Sequence, residues 1–442
     1  MGRLPLSGAH PRFMLTFFAI LVLLALFMAM RMPIAFAMGL TGFIGLAIQL
    51  GPRPALAVLE RTFFDSSSSF ILVAIPLFIL MAELLTAGDV TRRAILACQG
   101  WIGHVKGGLA MATVGASVIL AALVGSSTAS TAAMAASAFP EMRSHNYSQR
   151  LAAAVVSVGG TLAVVVPPSI VLVVYGVLTE TSIGKLFIAG IVPGLLTATG
   201  LAVVIKLIAH TTDQAPKGAP FELGKAVKAS RHVLPMILLM VLVIGAIYGG
   251  IASPSEAAAL GVMGSLIIVI FQRSLSFVNF NRSVSGAIRA TVMIVAIVAC
   301  SAIFSNYLAF TRITHSLLEF VATTSLPPAV IMGFIVLILL VMGMFMDQLA
   351  ILSLAMPLAF PTAMALDFDP VWFGIVVTKT VEIGLLTPPL GLNAYVASAQ
   401  TGVPLGKIFR GILPFLAMEI VILIVLLCVP QITLWLPGLM LR

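Results

Sequence analysis

The sequence predicts an all-α polytopic membrane protein arranged as an inverted-topology repeat, with about ten spanning helices and two re-entrant hairpins. Three observations carry this. First, 60% of the 442 residues are hydrophobic and only 9% are Asp, Glu, Lys or Arg, far fewer charges than the roughly one quarter that a water-exposed surface uses. Second, apolar runs recur along the whole chain at about 17–25 residues, the length that crosses a hydrocarbon core of about 30 Å. Third, five prolines recur at one spacing: Pro33, Pro140, Pro167, Pro168 and Pro193 each have a counterpart 221 residues on, at Pro254, Pro361, Pro388, Pro389 and Pro414. Prolines that merely punctuate helix ends have no reason to keep one register.

Residues 1–12 read as an N-terminal tail. The apolar stretch Phe13–Met30 is longer than a signal-peptide core, and Arg31 follows it with no small-residue cleavage site, so it is the first span. The first repeat runs over 13–212. It holds a hairpin at 107–138 and a broken helix at 151–178. A basic linker follows at 213–231, with Lys217, Lys225, Lys228 and Arg231. The second repeat, 232–442, holds a hairpin at 328–366 and a broken helix at 371–400.

Charge sets the orientation. The linker and the loop 272–289, with Arg273, Arg282 and Arg289 and no acid, flank one pair of spans and should be cytoplasmic. Arg92, Arg93, Lys106, Arg143, Arg150, Lys407 and Arg410 then fall on the same side, and the acidic "DFDP" at 367–370 falls outside. The alternation closes only if both hairpins enter and leave on one side. Five spans per half then invert the second half relative to the first, the build of many secondary transporters. Both termini are expected to be periplasmic.

The net charge of +9 does not indicate nucleic acid, because the basic residues lie in short loops between apolar runs. Cys98, Cys300 and Cys428 are isolated, the six histidines have no ligand spacing, and no GxxxxGK[ST] phosphate loop occurs. No cofactor is expected. No nucleophile–base pair suggests an enzyme.

The chemistry is expected where the helices break. Proline lacks an N–H and clashes with the carbonyl one turn back, so "VPPS" (166–169) and "TPPLGLN" (387–393) should interrupt their helices. Freed carbonyls at membrane depth must be buried in protein or line a wet cavity. Turned inward, they suit a hard cation such as Na⁺, while half-helix N-termini suit anions. The first hairpin turns at "VGSSTASTAAM" (124–134), where Gly125 permits a turn and hydroxyls cluster. Cation ligands are accordingly expected from Ser126, Ser127 and carbonyls near Pro167 in one half. In the other they come from Asp347, Thr387 and carbonyls near Pro388. Asp347 stands alone among apolar residues of the second hairpin and is either a cation ligand or a helix cap. Gly125, Thr128, Ser169, Gly391, Asn393 and Lys379 are the expected substrate contacts. Lys379 and Glu382, three residues apart on one helix face, also suit an ion pair. Glu83 reads as structural, and Glu256 as part of a capping box after Ser253 and Pro254.

The ordered set "AIPLFILMAELL", "GSSTASTAAM", "VPPSIVLVVYG", "TSIGKLFIAGIVPGLL", "SPSEAAALG" and "FGIVVTKTVEIGLLTPPLGLNAYV" resembles the large membrane subunit of tripartite ATP-independent periplasmic (TRAP) transporters over almost the whole chain. The resemblance implies an elevator-type transporter of the bacterial inner membrane, in which hairpins and broken helices carry substrate past a fixed scaffold. It implies Na⁺ as the energy source, a periplasmic solute-binding protein for delivery, and a small four-helix membrane subunit as a separate partner. It also implies an organic anion as substrate: a C4-dicarboxylate, sialic acid, or another sugar or keto acid. Many family members have Asp where Ser130 stands, which moves weight to Asp347 and the carbonyls. The competing expectation is a self-sufficient Na⁺/dicarboxylate symporter. A passive channel is a further alternative, and unlike either it would ignore a Na⁺ gradient.

Overall fold

The computed structural model describes residues 11–86, 90–216, 218, 220–231, 233–272, 276–323 and 326–440. The first ten residues of the expected tail, and the loop cations Lys217 and Arg273, lie outside the described residues. The described chain is helical, without strands.

The paired prolines occupy matching places in the two halves. Pro33 and Pro254 stand at the starts of the helices Ile34–Leu50 and Pro254–Phe271. Pro140 and Pro361 lie inside Ser127–Ser144 and Gln348–Ala365, the second arms of the two hairpins. Pro193 and Pro414 lie inside the long helices Ile183–Thr211 and Leu405–Cys428. The proline pairs separate Gln149–Val165 from Ile170–Thr179, and Pro370–Gly384 from Leu392–Thr401. Both Pro–Pro peptide bonds are cis.

The core is formed by the first arms of the two broken helices. Every residue from Leu151 to Val165 is buried, as is every residue from Val371 to Gly384. A helix apolar on all sides belongs in an interior, not on a surface. The first arm, Gln149–Val165, packs against both arms of the first hairpin (Gly108–Val124 and Ser127–Ser144), and Pro370–Gly384 packs against both arms of the second (Pro328–Gly343 and Gln348–Ala365). The second arms cross over: Leu392–Thr401 packs on Ser127–Ser144, and Ile170–Thr179 packs on Gln348–Ala365. Tyr175 also ties Ile170–Thr179 to the start of Pro370–Gly384 by donating its hydroxyl to the Pro370 carbonyl at 2.7 Å. The breaks therefore route each half into the hairpin of the other.

A smaller core joins the first two helices to the long helix Phe277–Phe310, with Met38, Leu46, Phe304 and Tyr307 at its centre. Outward-facing Val22, Phe36, Val203, Leu242, Phe271 and Val292 are exposed, as suits a surface solvated by lipid rather than water. Ser253 and Glu256 form the expected capping box.

The span count is lower than the expected ten when length and composition alone decide. Six helices among the described residues suffice, or eight if each of two bent pairs is one span. The difference has a physical source. The apolar stretches Thr16–Ala29 and Ile34–Leu50 are short, and the second broken helix is interrupted from Leu385 to Gly391. One of the six, Gln348–Ala365, is a hairpin arm.

Candidate functional site

The first hairpin turns in two residues. Gly125 caps Gly108–Val124 with φ +60°, a left-handed conformation that L side chains rarely adopt, and Ser126 follows in extended geometry to start the next helix. The turn lies against the first proline break: Gly125 abuts Ile170, and Val124, Gly125, Pro168, Ser169 and Ile170 line one small cavity with Phe78 and Met81. Ser169 is buried, donates to the Val164 carbonyl at 2.6 Å and caps Ile170–Thr179. The Ser126 and Thr128 hydroxyls are half-buried and 3.4 Å apart.

Ser127 looks elsewhere. It is fully buried, and its hydroxyl accepts from Asn393 Nδ2 at 2.6 Å; the same nitrogen lies 3.5 Å from the Ser157 carbonyl. Asn393 belongs to Leu392–Thr401, which starts at Gly391 just after the second proline pair. One contact thus ties the first hairpin tip to the second broken helix. Buried oxygens without hydrogen-bond partners occur on the same hairpin arm, Ser130 Oγ and Thr131 Oγ1, and on Asn393 itself, Oδ1. Buried polar atoms normally find partners, so these three oxygens stand out in the core. Ser127 and Asn393, expected in separate cation and substrate sets, share one cluster.

The second hairpin differs. Asp347 is exposed, not buried as its apolar neighbours suggested, and it is a helix cap: Oδ1 accepts from Leu349 N at 2.9 Å and Ala350 N at 3.2 Å. Substitution by Asn, an equally good cap, is expected to leave thermal stability unchanged, whereas Asp347→Ala should cost about 1 kcal/mol, read from the melting temperature. The tip region meets its own broken helix through Gly343 and Gly384, where no side chain fits between the backbones. Thr387 is half-buried and donates to the Ile383 carbonyl at 2.7 Å. Pro388 and Pro389 are exposed, in contrast to the buried Pro167 and Pro168. The two breaks are therefore in different surroundings.

Lys379 takes the ion-pair role of its two expected ones. It is fully buried and contacts Glu382 at 3.1 Å, Thr197 Oγ1 at 2.9 Å, and Glu419. The expected pair with Glu382 is present, but as part of a larger cluster. Glu419, the only acid in the 24-residue helix Leu405–Cys428, was recognisable by the rule that intramembrane charges have partners. Glu83 lends its backbone carbonyl to Ser283 at 3.0 Å and packs on Gly286, a structural setting.

Helices broken in mid-core, hairpins that end at those breaks, and an apolar exterior define a polytopic membrane transporter. A fold of this kind is found in the YdaH transporter of Alcanivorax borkumensis, to which the chain is similar with a TM-score of 0.62 at 13% identity, covering 88% of this chain and 90% of that one. The profile of the tripartite ATP-independent periplasmic transporter, DctM component, matches residues 21–432. The chain is 38% identical over 403 residues to a C4-dicarboxylate TRAP transporter large permease protein of Pseudomonas aeruginosa, covering 91% of this chain and 94% of the relative. It is 32% identical over 424 residues to an ectoine TRAP transporter large permease protein of Halomonas elongata, covering 95% and 97%. The chain belongs to the DctM family of TRAP transporter large permeases. It is a multi-pass inner-membrane transport protein, not an enzyme.

Proposed function

We propose that the chain carries an organic anion inward across the bacterial inner membrane, coupled to Na⁺, after delivery by a periplasmic solute-binding protein and in complex with a small four-helix membrane subunit. The observation that supports this best is the Ser127–Asn393 contact with its unpartnered oxygens. Neutral hydroxyl, amide and carbonyl oxygens are ligands for a hard monovalent cation. Because they come from both halves, binding of the ion strengthens the seam between the first hairpin and the second broken helix. The anion site we propose lies beside it, at the N-termini of Ile170–Thr179 and Leu392–Thr401, where the helix dipole favours negative charge. Ser126, Thr128, Ser169 and Gly391 are the residues at hand, with Gly125 shaping the turn. The names of the relatives span a dicarboxylate and ectoine; a C4-dicarboxylate, sialic acid or another sugar or keto acid is the substrate class proposed here.

The same layout supports an elevator motion. A hairpin and a broken helix from each half form one body through the crossed second arms, and that body moves against the helices that face lipid. The test is reconstitution into liposomes with a small subunit and a binding protein. Uptake is expected only with both partners and an inward Na⁺ gradient. Concentrative Na⁺-driven uptake by the chain alone would identify a self-sufficient symporter instead.

The orientation has its own test. With both termini periplasmic, alkaline phosphatase fused after Arg442 should be active. An inactive phosphatase together with an active cytoplasmic reporter at the same position contradicts the two-hairpin topology.

A further inference from the structure

The Lys379 cluster holds more negative than positive charge. Lys379 and Glu382 come from Pro370–Gly384, Glu419 from Leu405–Cys428, and Thr197 from Ile183–Thr211. The side chains of Lys379, Glu382 and Glu419 are each 0% exposed. An ammonium group has three N–H donors, and all three are engaged, by Thr197 Oγ1, Glu382 Oε2 and the Glu419 carboxylate. Thr197 itself donates to the Pro193 carbonyl at 2.9 Å, which leaves its oxygen to accept from Lys379. Glu382 Oε1 and Glu419 Oε1 then meet no hydrogen-bond donor, and the Thr161 hydroxyl next to Glu382 donates to the Val158 carbonyl at 2.7 Å.

Among the described residues no other charge balances the group. On the helices packed against it, Lys185, Lys206, His210, Lys407 and Arg410 are exposed and Arg150 is half-buried. Tyr175 gives its hydroxyl to Pro370, Tyr395 is exposed, and the hairpin arms Pro328–Gly343 and Gln348–Ala365 carry no ionisable side chain. Fully ionised, the cluster would bury one uncompensated negative charge among residues such as Phe373 and Phe415. A buried group in that position takes up a proton rather than remain charged.

We propose that the cluster is a proton-binding site: at neutral pH one of Glu382 and Glu419 is a carboxylic acid and the other is the carboxylate paired with Lys379. The proton comes from water, makes the cluster neutral, and gives one of the two free carboxyl oxygens the donor hydrogen that the protein does not supply. The site is independent of which solute the chain carries. It lies where three helices of both halves meet, so its proton content bears on how firmly those helices hold together.

Infrared spectroscopy of the full-length chain in lipid nanodiscs tests this. The wild type in neutral buffer should show the carbonyl stretch of a protonated carboxylic acid, shifted in heavy water. Glu382→Gln and Glu419→Gln should each abolish it, because the remaining carboxylate is then the ionised partner of Lys379. No such band in the wild type overturns the proposal, as does its retention in either variant, which would put the proton on another acid. Where a glutamine variant does not insert, Glu→Asp at the same position serves. The band moves if the proton is held here and stays unmoved if it is not.

Discussion

Lys379→Met should be among the most damaging single substitutions in the protein, costing about 3–5 kcal/mol, because removing one partner of a buried ion pair leaves uncompensated charge in the interior. Here the loss removes the ammonium that contacts Glu382 and Glu419, leaves their carboxylate without a counter-ion, and frees the Thr197 hydroxyl. Methionine nearly matches the lysine stem in volume, so packing contributes little to the effect. The loss should appear as a lower melting temperature of the detergent-solubilised protein and a smaller monodisperse fraction. Combining Lys379→Met with Glu382→Gln and Glu419→Gln should recover most of it, since replacing every member of a buried ionic group by neutral residues is often close to neutral. A single variant as stable as the wild type would mean that the cluster is not closed to water.

Asn393→Leu should abolish most transport while preserving the fold. Leucine has a similar size, so the helix Leu392–Thr401 keeps its place on the first hairpin. Its amide donor to Ser127 and its free Oδ1 are both lost. The unsatisfied Ser127 hydroxyl costs about 1–3 kcal/mol, a tolerable loss for a large core. Na⁺-driven uptake should fall at least about tenfold, the change that about 1.4 kcal/mol of lost binding produces. Asn393→Asp, which retains an oxygen ligand, should keep a Na⁺ response that the leucine variant lacks.

Much of this architecture is legible in the sequence because proline and glycine act locally. Pro167–Pro168 and Pro388–Pro389 break their helices wherever the chain runs, and Gly125 marks a turn by its own backbone freedom. Composition likewise fixes the solvent as lipid. What was not legible is pairing at long range. Ser127 and Asn393 are 266 residues apart, and nothing in either neighbourhood names the other. Asp347 was misplaced because apolar neighbours along a chain do not reveal whether the turn between two helices is covered. Lys379 was half understood: its i, i+3 partner was visible on one helix face, while Glu419 reaches it only through the packing of a separate helix. The count of ten spans overshot what length and composition alone select because the short first two helices and the interrupted one do not resemble ordinary spans.

The oxygens of Ser127 and Asn393 are proposed to hold the coupling Na⁺. The most direct measurement is the melting temperature of the purified chain titrated with NaCl against choline chloride at constant ionic strength, in the wild type and in Asn393→Leu. A ligand that binds only the folded state stabilises it by about 2.7 kcal/mol at a hundred times its dissociation constant. The wild type should therefore rise steadily with Na⁺ and ignore choline, while folded Asn393→Leu responds to neither. An Asn393→Leu chain that folds normally and gains as much from Na⁺ as the wild type would contradict the account and place the ion elsewhere.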